Sequence, residues 1–269
     1  MIAPVVDITW LTAHRDDVVL ADVRWYLDGR SGLAAYEKGH LPGAVFIDLD
    51  AALARPGSAA EGRHPLPEPE TFAAAMSAAG IGDTTTVIAY DDAGGVIAAR
   101  LIWMLRTLGC EAALLDGGFF AYDGEPSTAT PRPAPAAFTP REWPAERLVS
   151  LAQTTEGGHV LLDARDRPRF AGETEPVDPR AGHIPGARNL PCRENVDAEG
   201  RFLPVAQLRE RFASVGVDGS THVVSYCGSG VTACHNLIAL EHAGLGRGRL
   251  FPGSWSQYSH TDRPAATGD

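Results

Sequence analysis

The chain has 269 residues, of which 44% are hydrophobic and 21% are charged, a composition typical of a soluble globular protein with a substantial core. Its length exceeds that of one average domain, so two domains are expected. Its net charge of −11 disfavours nucleic-acid binding, which needs a clustered basic surface, and the sequence lacks the roughly 18-residue apolar run of a membrane span.

The N-terminal segment, MIAPVVDITWLTAHRDD, lacks the basic region and apolar run of an export signal. A cytoplasmic protein without membrane attachment is therefore expected. The four cysteines are too few and too scattered for a disulfide framework, and none forms the C-x-x-C pair that would suggest structural zinc.

Four segments of the first half recur in the same order in the second half. VVLADVR (18–24) matches HVLLDAR (159–165), GHLPGA (39–44) matches GHIPGA (182–187), the segment 85–109 matches 221–244, and LLDGGFFAY (114–122) matches LFPGSWSQY (250–258). Because chance similarity would not preserve this order, two copies of one domain are predicted. We expect domains at 1–124 and 147–269, joined by an extended linker at 125–146 that holds six prolines.

Within each copy, short apolar runs alternate with amphipathic, alanine-rich segments. Residues 87–90 and 222–226 have the pattern of buried strands, and residues 72–79 and 208–215 that of helices. This alternation predicts an α/β fold in which a mainly parallel sheet is flanked by helices. Ligands bind such sheets beyond the carboxyl ends of the strands, which is where Cys227 lies.

The loop CGSGVT follows the second of these strands directly. Gly228 and Gly230 let the backbone curl, so that amide groups of the loop, including those of Val231 and Thr232, can point inward beside the start of a helix. Such a ring favours a thiolate at Cys227 and could hold a transferred sulfur as a persulfide anion.

Two other interpretations of this cysteine are less favoured. Most free cysteines are small buried residues, but the position between a strand and a helix in a glycine-rich turn favours a nucleophile. Cysteine phosphatases need an arginine six residues after the cysteine, and here that residue is Ala233, which disfavours phosphatase chemistry.

The paired G-H-[LI]-P-G-A motifs, the Asp-x-Arg strand ends, the C-G-S-G-V-T loop and the terminal G-S-W together resemble the tandem-domain rhodanese family of sulfurtransferases. The resemblance covers nearly the whole chain and implies two rhodanese-like domains. It also implies that the second copy is catalytic and the first is not. The repeat agrees, because it aligns Asp91 with Cys227, and a carboxylate cannot accept sulfur.

The resemblance leaves the sulfur donor open. Thiosulfate enzymes of the family often carry basic residues after the cysteine, whereas the neutral Gly228 and Ser229 resemble the 3-mercaptopyruvate branch. A thiosulfate donor is the alternative, with arginines folding in from elsewhere to supply charge. A non-catalytic sulfur carrier or docking module is less favoured, since docking has no need for an intact loop.

The family also implies roles for further residues. Ser229 would act with His64 and Asp50 from the first copy as a proton relay, although a histidine in a Gly/Pro-rich loop is also commonly just solvated. Arg169, in RFAGETEP, would bind the donor carboxylate. Arg180 is a candidate second arginine, although its spacing differs from the family pattern.

The predicted reaction moves sulfane sulfur from a small anionic donor to Cys227, and then to cyanide or a thiol acceptor such as a thioredoxin-like protein. This covalent double displacement needs neither metal nor organic cofactor. The Asp-x-Arg strand ends and the histidines of the G-H-[LI]-P-G-A motifs occur in both copies, including the copy without the cysteine. A role in holding the fold is therefore expected for Asp22, Arg24, Asp163, His40 and His183.

Overall fold

The computed structural model describes residues 1–134 and 136–268; Pro135, in the expected linker, and Asp269 lie outside the described residues. The chain divides into two compact units. The first comprises Met1–Arg55, Pro67–Trp143 and Val196–Phe202, and the second comprises Pro56–Leu66, Pro144–Asn195 and Leu203–Asp269. Each unit thus takes in one short segment from the opposite half of the chain.

The first unit is built on a parallel sheet of five strands, in the order β1-β5-β4-β2-β3. Its strands and helices are, in chain order, β1 (Val5–Val6), α1 (Ile8–Ala13), β2 (Val18–Asp22), α2 (Gly32–Lys38), β3 (Val45–Phe46), α3 (Pro69–Ala78), β4 (Thr86–Tyr90), α4 (Ala99–Thr107) and β5 (Ala112–Leu115). The central strand β4 reads TVIAY and is buried over its last four residues, as expected where helices cover both faces of a parallel sheet.

The second unit repeats this plan on a parallel sheet of four strands, in the order β7-β6-β8-β9. Its elements are β6 (Val160–Asp163), α5 (Arg167–Ala171), β7 (Arg188–Asn189), α6 (Val205–Ser214), β8 (Val223–Tyr226), α7 (Ala233–His242), β9 (Arg249–Leu250) and α8 (Ser254–Tyr258). An isolated parallel bridge between Leu148 and Leu250 takes the place of the edge strand β1. The two copies of one domain predicted from the sequence are therefore confirmed as two parallel sheets flanked by helices.

Strand register places the loops after the central strands at one edge of each sheet. Asp22 at the end of β2 lies opposite Tyr90 at the end of β4, and Asp163 at the end of β6 lies opposite Tyr226 at the end of β8. Because parallel strands all end at the same edge, the loop that begins with Cys227 opens there.

The proline-rich stretch after the first copy packs along the first unit up to Trp143. Ser127 forms an antiparallel bridge with His40, the ring of Phe138 meets that of Phe72 edge-on at 5.5 Å, and the Trp143 indole donates to the Pro67 carbonyl at 2.8 Å. These contacts fix the path of this stretch by packing.

Both copies contain the same buried ion pair. Arg24 contacts Asp22 at 2.6 Å and donates to the Gly39 carbonyl at 2.7 Å, and Arg165 repeats these contacts with Asp163 and the Gly182 carbonyl at the same two distances. The guanidinium groups thus tie the end of a central strand to the start of each G-H-[LI]-P-G-A turn.

The histidines of these turns are also held alike. The His40 ring stacks on Tyr36 with centroids 3.9 Å apart, and the His183 ring stacks on Phe170 at 3.7 Å. Each Nδ1 donates to the carbonyl of its stacking partner, at 2.9 and 2.8 Å.

In the described part of the chain, no helix combines the length and apolar character needed to cross a membrane.

The duplicated ion pair leads to a stability prediction. Asp22→Ala leaves the buried Arg24 guanidinium without its carboxylate and should lower the free energy of unfolding by about 3–5 kcal/mol, measured by urea denaturation. Asp28→Ala is the matched control, because Asp28 and Arg30 repeat the Asp-x-Arg spacing at 2.9 Å on the exposed surface. The control should unfold near the wild-type midpoint, and equal effects of the two variants would contradict the assigned role.

Candidate active site

Cys227 follows β8 directly and is buried, with 2% of its surface exposed. The amide of Gly230 donates to its Sγ at 3.1 Å, so the backbone curls back onto the sulfur. Gly230 has φ +78°, and a Cβ there would lie 2.5 Å from the Pro252 carbonyl oxygen. This turn therefore requires glycine.

The residues at the start of α8 hold the cysteine loop in place. The Cys227 amide donates to the Ser254 Oγ at 3.2 Å, while the amides of Trp255 and Ser256 donate to the carbonyls of Cys227 and Gly228 at 3.0 and 2.8 Å. Ser254 has a left-handed φ of +52° and its hydroxyl donates to the Phe251 carbonyl at 2.9 Å. Such a strained residue persists only where its surroundings fix it, so the loop is rigidly supported.

The first copy has an acid, Asp91, at the position that corresponds to Cys227. The Asp91 carboxylate is fully buried and accepts four backbone N–H bonds of 2.7–2.9 Å. The donors are Ala93, Gly95, Ile97 and Ala98. Burial raises the pKa of Asp91, and the four amides oppose that rise by favouring the charged form. The loop is thus a ring of amides built around an anion.

The loop at Cys227 is shorter than the loop at Asp91, because α7 begins six residues after Cys227, at Ala233, whereas α4 begins eight residues after Asp91, at Ala99. The first copy has two glycines at positive φ here, Gly94 and Gly95, and the second copy has one, Gly230. The start of α7 thus follows the cysteine closely in sequence, and amides at a helix start are oriented to receive an anion.

A histidine from the first half of the chain meets the serine of the loop. His64 Nδ1 lies 2.7 Å from Ser229 Oγ. The segment that carries it, Pro56–Leu66, belongs to the second unit. Gly62, at φ +89°, sits so close to Gly253 that a Cβ would lie 2.5 Å from its carbonyl oxygen.

Asp50, the third residue of the predicted relay, lies in the first unit. It falls within the π-helical turn Leu49–Leu53, and the Trp25 indole donates to its Oδ2 at 2.9 Å. The structure therefore brings together Ser229 and His64, and a contact from Asp50 to His64 stays a prediction.

Two arginines converge above the cysteine loop. A Cβ placed on Gly228 would lie 3.0 Å from Arg63 Nη2 and 3.6 Å from Arg169 Nη1. Arg169 was expected from the sequence, whereas Arg63 was missed, although it directly precedes His64 in GRHPLP. The Nε of Arg63 is buried without a hydrogen-bond partner among the described residues, which leaves a donor for a ligand.

Two buried acids orient these guanidinium groups. Glu175 receives the Nε and Nη2 of Arg169 at 3.2 and 2.6 Å, and it also receives the Nη1 of Arg165 at 3.1 Å. Asp178 forms an ion pair with Arg63 and lies 3.5 Å from the Nη2 of Arg169. One edge of Arg169 is thus held by Glu175, and both of its terminal nitrogens would lie 3.6 Å from a Cβ on Gly228.

Arg180 has a different set of partners. Its guanidinium donates to the carbonyls of Tyr258, Ser259 and Arg263 at 2.9–3.1 Å, and the Trp255 indole donates to the Arg180 carbonyl at 2.9 Å. These bonds fasten the segment that follows α8. Contact of Arg180 with a donor stays a prediction.

The other three cysteines are buried thiols. Burial raises the pKa of Cys192 to about 12 and also raises that of Cys110. Cys234, on α7, donates its thiol to the Gly230 carbonyl at 3.4 Å. Among the described residues, no group of three or more His, Cys, Asp or Glu side chains is arranged to hold a metal ion.

Comparison with known proteins identifies the family. The profile of the Rhodanese-like domain matches residues 7–125 and 148–261. A Pseudomonas aeruginosa protein that bears a provisional name as a 3-mercaptopyruvate sulfurtransferase is 42% identical over 94% of this chain and 93% of its own length. A Mycobacterium tuberculosis protein, provisionally named a thiosulfate sulfurtransferase, is 40% identical over 94% of this chain and 92% of its own.

Solved structures agree with this assignment. The crystal structure of SseA from Escherichia coli, described as a 3-mercaptopyruvate sulfurtransferase with the rhodanese fold, superposes with a TM-score of 0.83. The alignment has 32% sequence identity and covers 94% of this chain and 99% of SseA. The resemblance read from the motifs is confirmed: the chain belongs to the rhodanese family, as a sulfurtransferase with two rhodanese-like domains.

Proposed function

We propose that the chain transfers sulfane sulfur from 3-mercaptopyruvate to Cys227 and from there to a thiol or cyanide acceptor. The observation that carries this proposal is the 2.7 Å contact between His64 and Ser229, two residues after the cysteine. A departing pyruvate enolate needs a proton, and this pair can supply one. The 42% identical relative carries the corresponding name.

The donor carboxylate is assigned to the two guanidinium groups above Gly228. Arginine binds a carboxylate through parallel N–H bonds, which fixes both its position and its orientation. Arg169 is held in place by Glu175, and Arg63 contributes a buried, unpartnered Nε. With the carboxylate there, the donor sulfur can be held against Cys227.

In the first half-reaction the Cys227 thiolate attacks the donor sulfur. The new S–S bond forms as the C–S bond breaks, and the electron pair of the broken bond passes to the methylene carbon as the pyruvate enolate. His64, through the Ser229 hydroxyl, delivers a proton to that carbon and releases pyruvate. The proton of the donor thiol leaves the new persulfide, so the overall proton count is unchanged.

The persulfide is assigned to the amide ring. Gly230 already donates to Cys227 Sγ, and the longer loop that follows the corresponding strand of the first copy places four N–H groups around the Asp91 carboxylate. A persulfide also ends in an anionic atom, one bond further from the backbone than a thiolate. Pre-oriented amides stabilise this charge without reorganisation.

In the second half-reaction an acceptor thiolate or cyanide attacks the outer sulfur, and Cys227 leaves as the thiolate. A thioredoxin-like protein is the expected protein acceptor, and a cytoplasmic location fits such a partner.

We assign the catalytic role to the second copy (147–269) and a non-catalytic role to the first (1–124), with 125–146 as linker. The first half of the chain contributes Arg63 and His64 to the second unit.

Thiosulfate is the second candidate donor. Arg63 adds a positive charge that the sequence alone did not indicate, and the 40% identical relative carries a thiosulfate name. The donor is tested by measuring kcat/KM for both compounds on one preparation.

We expect 3-mercaptopyruvate to give the higher kcat/KM, and a higher value for thiosulfate would overturn the assigned donor.

His64→Ala should lower kcat for 3-mercaptopyruvate by about 10²–10⁴-fold, because the proton transfer is lost. It should affect thiosulfate much less, since sulfite leaves without needing a proton on carbon. His222→Ala, at an exposed position just before β8, is the control and should leave kcat for both donors unchanged.

Arg63→Gln tests the arginine that sequence reasoning missed. Losing a charged hydrogen bond to the donor carboxylate should raise KM for 3-mercaptopyruvate by about 10–100-fold, with a smaller change in kcat. Arg167→Gln is the matched control, since it removes an exposed arginine of α5, the helix that carries Arg169, and this arginine pairs with Glu194. An unchanged KM in Arg63→Gln would exclude Arg63 from donor binding.

A further inference from the structure

Asp178 is a buried carboxylate at the two arginines assigned to donor binding. Its side chain is 2% exposed, Oδ1 forms an ion pair with Arg63 Nη1, and Oδ2 lies 3.5 Å from Arg169 Nη2. It therefore contacts the same two guanidinium groups that approach Gly228.

The local charges balance when Asp178 is counted. Three arginines and three acids form one contiguous network: Arg63, Arg165, Arg169, Asp163, Glu175 and Asp178. Arg165 is covered by Asp163 and Glu175, and Glu175 also holds Arg169. The network thus presents directed N–H donors toward the loop without excess positive charge.

Two guanidinium groups contact the Asp178 carboxyl: Arg63 pairs with Oδ1, and Arg169 lies 3.5 Å from Oδ2. Burial, together with the nearby Glu175 carboxylate, raises the pKa of Asp178, and the two guanidinium groups oppose that rise by favouring the charged form. A carboxylate buried beside two arginines is an interior counter-charge, and it is screened little by salt.

The two candidate donors differ in charge. 3-Mercaptopyruvate carries one negative charge, on its carboxylate, whereas thiosulfate carries two at neutral pH. A neutral network with well-directed N–H groups suits a singly charged carboxylate. A second negative charge on the donor would be repelled by the Asp178 carboxylate, and the network holds no additional cation to compensate it. The net charge of −11 adds no attraction at longer range.

We propose that Asp178 sets the donor preference, by balancing Arg63 and Arg169 so that the site favours singly charged sulfur donors over doubly charged ones. This inference rests on the proposed function. Asp178 acts through the two arginines and is therefore a positioning and specificity residue, not a catalytic one.

Asp178→Asn tests the proposal, because it removes the charge and keeps the volume and one acceptor oxygen. The ratio of kcat/KM for thiosulfate to that for 3-mercaptopyruvate should rise by about 10–100-fold, mainly through a lower KM for thiosulfate. Asp178→Glu, which keeps the charge, should stay near the wild-type ratio. Glu173→Gln, which removes an exposed charge five residues earlier, should also leave the ratio unchanged.

A ratio within twofold of wild type in a folded Asp178→Asn protein, with its melting temperature measured, would overturn the proposal. If that variant does not fold, competitive inhibition of the wild-type protein decides instead. The singly charged pyruvate should then inhibit at lower concentration than the doubly charged sulfate, and the reverse order would overturn the proposal. A wild-type protein that accepts sulfur from neither donor would instead contradict the proposed function, so the two failures are distinguishable.

Discussion

The structure depends on a turn of backbone that points its amides inward at the carboxyl end of each central strand. In the first unit this turn encloses the carboxylate of Asp91 with four N–H bonds. In the second unit Cys227 starts a shorter turn at the corresponding position, and Gly230 donates to its sulfur. The same edge of the sheet thus encloses a carboxylate in one copy and a cysteine sulfur in the other.

Charge is the second constraint, because a protein with a net charge of −11 must attract an anionic donor locally. Arg169 and Arg63 supply N–H donors at Gly228, and each is oriented by a buried acid, Glu175 or Asp178. The acids fix the geometry of the guanidinium groups and limit their net charge. Under the proposed function, the same ion pairs would govern both donor binding and discrimination between donors.

The sequence predicted those features that are local or repeated. The tandem motifs indicated two copies, the apolar runs indicated parallel strands, and Cys227 was placed at a strand end because its loop follows β8 directly. Ser229 and His64 could be named through the family resemblance, but their contact spans 165 positions and depends on how the segment around Gly62 packs. Arg63 was missed because its partner Asp178 is 115 positions away, and no periodicity links the two.

Sulfur transfer through Cys227 requires a persulfide on this residue, and mass spectrometry detects a persulfide directly. After incubation with 3-mercaptopyruvate without an acceptor, the peptide that contains Cys227 should gain about 32 Da, the mass of one sulfur atom. Cyanide should remove this mass. Cys227→Ser should show no adduct and no sulfur transfer, whereas Cys234→Ser should keep both. An adduct on another cysteine, or sulfur transfer by Cys227→Ser at the wild-type rate, would contradict the account.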